Sequence, residues 1–386
     1  MKKYALYLLL LAAVSACIYP YDVELDSDPA KTVVVDGEIV VGGTSRINLS
    51  YMVPLNAGAT GRRANGMAHI EGEDGTVYKP NSSAMTSSLV IPMDAAPAGQ
   101  RYRAVITVDG ETYSSDWLDP VAPPVIRNVS FSAGDYLVTV SVDLDPGEAG
   151  SGYIGITSEE CWEFHSDFYP ESFIMPDTWN YYIPMSPYPY YWCWRYNNID
   201  GLVLVNYSGL AEGSSIIGYP IHLFPRTDSR NHRKYSILVK ARTLSKEAYD
   251  YIHHMDEQSN SGSNLFTPDP GQMTGNLHCE SNHELQVMGM LYASQVTTKR
   301  AFLSSIYSIR VPEDDAMLVH VAPEMYPAYY YEKGYRPIKT VTIENKADVG
   351  WGPERCINCI LAGGTQEEPS FWRMDPNYES AENGGL

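Results

Sequence analysis

Short runs of alternating apolar and polar residues, each closed by a Gly, Pro or Asp turn, recur along most of the chain, and this pattern limits it to a mainly β fold. Thr32 to Val35 opens a strand, and Glu38 to Val41 continues it beyond the turn-prone pair Asp36-Gly37. Arg46 to Ser50 alternates as a half-buried strand does. Met67 to Glu71 runs into Asp74-Gly75, a hairpin signal ahead of Val77-Tyr78. Arg101 to Val108 alternates for most of its length and meets Asp109-Gly110, then Glu111 to Ser114. Strands at this spacing predict an immunoglobulin-like sandwich over 31–121. Asp119-Pro120 and Pro123-Pro124 form a stiff linker, and a boundary is placed there. A second β-rich domain is predicted over 122–386, with strands at Ile126 to Phe131, Tyr136 to Val142 and Tyr153 to Thr157. The expected fold class is therefore tandem immunoglobulin-like or fibronectin-like β-sandwiches with one short helix and long aromatic loops.

The helix follows the alternating strand Lys234 to Lys240. Ser245 is placed to cap it, Glu247 lies in its first turn, and Tyr249 and Ile252 share a face, which predicts a helix over about 245–257. A polar loop, 259–264, comes next, and further strands are expected at Leu285 to Ala293 and Arg300 to Ser305.

From about 160 to 196 the chain changes character. Aromatic residues are separated mainly by Pro, Asp, Ser and Asn, and neither the helical nor the strand period fits them. One reading is a loop presenting ring faces to a sugar, a peptide or a protein partner, because Tyr and Trp supply large contact area at low entropy cost. The other is a proline-broken insertion whose rings pack on its own sandwich. The candidate contact residues are Trp179, Tyr181, Tyr182, Tyr190, Tyr191 and Trp192, joined by Tyr329 and Tyr330 from a second tyrosine cluster.

The N-terminus addresses the chain for export. Lys2 and Lys3 precede an apolar stretch from Tyr4 to Val14, shorter than the ~20 residues of a spanning helix. It ends in Val14-Ser15-Ala16-Cys17, a lipobox, which predicts a signal peptide over 1–16 and diacylglycerol on the Cys17 thiol. The membrane is then reached through the lipid alone. Residues 17–30 read as a tether, with Glu24, Asp26 and Asp28 before the first basic residue, Lys31. Such an acidic stretch resembles the surface-export signal of Bacteroidetes lipoproteins, which implies an outer-membrane protein facing the exterior. The formal charge is −20, and it becomes two units more negative once Lys2 and Lys3 leave. That excludes nucleic acid as the expected partner, since phosphate binding needs clustered Lys and Arg. Thirty tyrosines, 26 prolines and 30 glycines suit an extracellular, turn-rich β protein, and 44% apolar content can support a core.

With Cys17 lipidated, five cysteines remain, and an oxidising compartment favours bridging them. Cys161 and Cys193 flank the aromatic segment and would staple it as a loop; Cys356 and Cys359 could close a tight local bridge. Cys279 is then the odd one, expected to be buried. His278, Cys279 and His283 could in principle complete a metal site with Cys356 and Cys359, but no metal or other cofactor is expected. No nucleophile elbow, zinc-protease helix, phosphate loop or dinucleotide fingerprint is present. The carboxylate pairs Glu159-Glu160 and Asp143/Asp145 read as solvated surface. No catalytic residue is assigned, and the chain is read as a non-enzyme.

Several ordered blocks resemble the DUF4249 family of Bacteroidetes lipoproteins. They are Cys17 to Tyr21, Tyr235 to Val239, Leu244 to Tyr251, Leu265 to Pro270 and Gly275-Asn276. Met288 to Ser294, Lys299 to Phe302, Cys356 to Cys359, Gly363 to Thr365 and Pro369 to Trp372 complete the set. Ile252 departs from the pattern where an aromatic residue is expected. The resemblance implies a companion of a TonB-dependent outer-membrane receptor, hence a non-catalytic accessory or ligand-capture role in nutrient uptake. An adhesion or structural surface protein and a glycan- or peptide-acting hydrolase are the alternatives.

Overall fold

The computed structural model describes residues 32–53, 62–146, 152–171, 173–174, 179, 181–182, 188–211, 213–231, 233–261, 275–304, 318–321, 327–343 and 346–375. The expected signal peptide, Cys17 and the tether lie outside them.

The chain opens with β1 (Val33–Val40), β2 (Thr44–Tyr51), β3 (Arg62–Arg63), β4 (Gly66–Gly72), β5 (Val77–Tyr78), β6 (Ser88–Pro92), β7 (Tyr102–Val108) and β8 (Glu111–Ser115). Alternation places Val33, Val35 and Ile39 inward beside Ile47 and Leu49 of β2, and Ala104, Ile106 and Val108 of β7 close the core from the other sheet. Between β7 and β8, Asp109 and Gly110 hold φ of 52° and 87°, the two positive values that a tight primed hairpin turn requires. Asp36-Gly37 behaves differently from expectation. It lies inside one unbroken strand, and a Cβ on Gly37 would stand 2.3 Å from the Arg46 carbonyl oxygen, so this glycine permits close approach of β2 rather than a turn.

The second sandwich begins after the proline linker with β9 (Val125–Ala133), β10 (Leu137–Asp145) and β11 (Tyr153–His165). After β12 (Phe173–Ile174) and β13 (Tyr181–Tyr182) come β14 (Trp192–Asn206), β15 (Ile216–Pro225) and β16 (Lys234–Thr243). Helix α1 (Lys246–Ser261), β17 (Leu277–Cys279), β18 (Val287–Ser294) and β19 (Val296–Ser304) follow. One sheet runs β15-β10-β9 and the other β14-β11-β16-β19, a seven-stranded fibronectin-like sandwich around Val140, Val142, Ile154, Ile156, Ile237 and Val239. The chain then forms β20 (Val319–Val321), α2 (Pro327–Glu332), β21 (Tyr335–Ile343) and β22 (Lys346–Pro353), with the last three strands ordered β20-β22-β21. No helix among the described residues is long and apolar enough to cross a membrane.

The two sandwiches are not consecutive beads. β18 pairs in parallel with β1 along all of Val33–Val40, and β17 pairs with β8, so residues far beyond 121 complete the first sandwich. Only Gln295 separates β18 in the first sandwich from β19 in the second. Ser245 Oγ accepts from the Ala248 amide at 3.1 Å, the expected cap, but α1 runs on through the stretch read as the start of a polar loop. Ala248, Tyr249 and Ile252 pack between Tyr153 and Leu244 of the second sandwich and Met290 and Tyr292 of β18, so the helix fastens the two bodies together.

Candidate functional site

The aromatic segment resolves into strand arms and a ledge. Its ends are not loop: β11 and β14 pair from Tyr153–Asn206 out to His165–Trp192. Trp162 and Phe164 point into the sandwich core, Cys193 lies opposite Phe164, and Tyr196 lies opposite Cys161. Beyond the arms, Phe168 is buried with Leu318, Ile338, Cys356 and Ile357 of the C-terminal region. Tyr191 stacks on His165 with centroids 5.0 Å apart and 14° between planes, and Trp192 meets His165 edge-on at 5.2 Å. Tyr169 meets Tyr191 edge-on at 5.1 Å, and its hydroxyl accepts from the Tyr188 amide at 3.0 Å. Arg233 covers the Trp192 ring at 5.2 Å while pairing with Glu163 at 2.7 Å.

The second tyrosine cluster joins the same body. Trp179 meets Tyr331 edge-on at 5.9 Å, and Ile174 is buried beside Trp351, against which Tyr330 packs at 6.0 Å. Arg336 lies 3.7 Å from the Tyr331 ring centre. The aromatic residues divide by exposure. Tyr191, Trp192 and Tyr330 are committed to packing, whereas Tyr169 (38% exposed), Trp179 (37%), Tyr190 (40%) and Tyr329 (58%) keep faces toward solvent. Tyr181 and Tyr182 form β13, which pairs with β12; their side chains lie outside the described residues.

The cysteines correct the expected pairing. Cys193 bonds to Cys359, while Cys161, Cys279 and Cys356 are free and buried. Strand parity forbids the 161–193 bridge: Cys193 sits opposite Phe164, an odd number of residues from Cys161, so the two thiols face opposite sides of the sheet. The 356–359 bridge is ruled out by a short 3-10 turn, Glu354–Cys356, which sends Cys356 into the Phe168 cluster and Cys359 into the sandwich core. Cys359 donates its amide to the Tyr190 carbonyl at 3.0 Å, and the Trp194 and Thr365 amides and carbonyls exchange two 2.8 Å bonds. The tail then crosses the outer face of the β14-β11-β16-β19 sheet, where Arg300 lies 3.6 Å from the Phe371 ring centre and Lys234 pairs with Asp375 at 2.7 Å. Tyr190, Ile360 and Leu361 are left exposed around the bridge.

One carboxylate read as solvated surface is not. Glu160 is buried at 2% exposure on the core side of β11. Arg230 donates to both its oxygens at 2.6 and 2.9 Å, Asn197 donates at 2.7 Å, the Tyr235 hydroxyl at 3.0 Å, and His222 lies at 3.4 Å. Burial alone would raise this carboxyl, but the nearby His222 ring, the hydrogen bonds from Arg230 and Asn197 and the Arg230 charge outweigh it and hold the group well below the usual carboxylate range. Enclosed by donors, Glu160 has no free edge for acid–base chemistry, and it holds the turn bearing Arg230 against the sandwich. The signal was present in the sequence: Glu160, Trp162 and Phe164 share one parity, so an acid lies on an apolar face. Asp143 and Asp145 are exposed-side acceptors, from the Gly218 amide at 2.7 Å and the Ser215 hydroxyl at 2.6 Å. His278 and Cys279 point to opposite sides of β17, and among the described residues no three His, Cys, Asp or Glu side chains converge as metal ligands.

The profile of a domain of unknown function, DUF4249, matches residues 18–300. No curated protein matches the chain in sequence. Among solved structures, a two-domain fibronectin type III segment of chicken tenascin is similar at 10% identity and a TM-score of 0.16, covering 54% of this chain and 88% of its own. The FN1–FN3 domains of chicken CNTN1 are similar at 12% identity and a TM-score of 0.16, covering 54% and 58%.

Proposed function

The chain belongs to the DUF4249 family, and from that premise we propose that it is a lipid-anchored outer-membrane protein, a non-catalytic capture partner of a TonB-dependent transporter at the cell surface. The observation that carries this reading is the ledge. Tyr169, Tyr190, Ile360 and Leu361 present apolar surface at the edge of the second sandwich, and Tyr191, His165 and the Cys193–Cys359 bridge support the ledge from behind. Rigid amphipathic rings on a fixed support are the usual anchors of a protein interface, because little side-chain freedom remains to be lost on docking. The lipobox at Cys17 and the acidic tether support the address. The decisive experiment is affinity capture of tagged, full-length lipoprotein from detergent-solubilised outer membranes. A transporter barrel recovered with wild type and lost with Tyr169→Ser/Tyr190→Ser supports the proposal; no barrel, or equal recovery with the variant, overturns it.

A further inference from the structure

A cleft of about 1140 Å³ lies where the outer face of β1 and β2 meets the outer face of the β14-β11-β16-β19 sheet. The strand alternation that buries Val35, Ile39 and Ile47 turns Asp36, Glu38 and Arg46 outward into this space, and the opposite wall supplies Glu159, Lys240 and Arg242. Some of these charges are committed to the walls. Arg242 reaches across to Glu38 at 2.7 Å and donates to the Thr157 hydroxyl at 2.8 Å; Ser294 also donates to Glu38; Lys240 pairs with Glu159 on its own wall. Others are not. Among the described residues Asp36 and Asp200 have no ion pair, and the Arg46 guanidinium has a hydrogen bond to the Ser88 hydroxyl alone, at 3.4 Å.

We propose that this cleft is a binding site for short peptides that carry both a cationic and an anionic group. The assignment stands on the cleft alone and not on the transporter partnership. Its volume exceeds the ~300–1,000 Å³ of pockets that enclose one small molecule, which suits an oligomer. Among the described lining residues none is aromatic, so a sugar has no stacking platform. Four carboxylates against three cations give a polyanion no net attraction. A peptide matches the lining: its charged groups meet Arg46 and Asp36 on the β1–β2 wall and Asp200 on the other, and its amides meet the hydroxyls and side-chain amides of Thr157, Asn198 and Thr298. The walls are pre-set, because Gln295 alone joins β18 to β19 and the Glu38–Arg242 pair links one wall to the other. Pre-set walls reduce the ordering cost of binding.

The test passes a tryptic digest of casein over the immobilised full-length mature protein and sequences what is retained. The most strongly retained peptide is then synthesised and titrated by calorimetry, with maltohexaose as competitor. Wild type is expected to retain short peptides of both charge signs. Arg46→Glu and, separately, Asp200→Lys should each weaken binding by about tenfold or more, the equivalent of ~1.4 kcal/mol. Both residues are exposed, so unchanged unfolding midpoints are expected to show that each variant is folded. Retention of no peptide, equal affinity in both folded variants, or displacement of the peptide by maltohexaose overturns the assignment.

Discussion

Cys193 and Cys359 are bonded across 166 residues of chain, with Cα atoms 5.7 Å apart, and this one link ties the aromatic ledge to the C-terminal tail. A loop of this length restricts the unfolded chain strongly, so Cys193→Ser should lower stability by about 2–5 kcal/mol. Peptide mapping without reduction should find the 193–359 pair and free thiols at Cys161, Cys279 and Cys356. A 161–193 crosslink would contradict the strand parity described above.

Glu160 supplies a pH dependence with a definite sign. Its folded pKa is depressed, so its contribution is complete above the unfolded carboxylate value of ~4.3 and is lost as pH falls toward the folded one. Glu160→Gln should remove that acid-side slope from denaturant titrations run between neutral pH and pH ~3. It should also cost up to about 3 kcal/mol at pH 7, because Arg230 loses its two bonds to the buried carboxylate and keeps the Asp228 pair at 2.9 Å. Glu38 runs the other way: burial raises its pKa against the pull of Arg242, so its contribution is present at low pH and declines as pH rises.

Asn276 acts as a strand partner for β18. Its side-chain amide donates to the Leu291 carbonyl at 2.7 Å and accepts from the Leu291 amide at 3.0 Å. Asn276→Ala leaves both groups unmet and should cost about 2–3 kcal/mol. Gly289→Ala should be worse. Its φ is +116°, and the new Cβ would fall 1.8 Å from the Val35 carbonyl oxygen, forcing β18 off β1. Hydrogen exchange should show Val33–Val40 losing protection in Gly289→Ala; unchanged protection would mean that β1 does not depend on β18.

Ring substitutions should separate packing from contact. Phe168→Ala empties a buried site and should cost about 3–5 kcal/mol. Tyr190→Ser, on the exposed side of the ledge, should change stability by no more than about 0.5 kcal/mol. Thermal unfolding of the two variants, set beside barrel recovery in the capture experiment, distinguishes the two roles.

Much of the fold was legible because its signals are local. Alternation marks β2, β7, β10 and β16; Asp109-Gly110 sets a turn by its own backbone preference; and Ser245 caps a helix through a hydroxyl three residues from the amide it meets. The family blocks at Gly275-Asn276 and Met288 to Ser294 were readable as pattern, but their reason was not. Only tertiary structure decided that they complete the first sandwich, because strand pairing is specified by which faces remain uncovered after the rest has folded, not by the strand's own residues. The same holds for the site. Sequence alone concentrated the aromatic residues, yet which rings are buried, which cysteines meet and which charges face one another across the cleft depend on contacts between segments a hundred or more residues apart. Parity connects the two levels: it was written in the chain from Glu160 to Phe164, and it acquired meaning once a second sheet fixed which side was the inside.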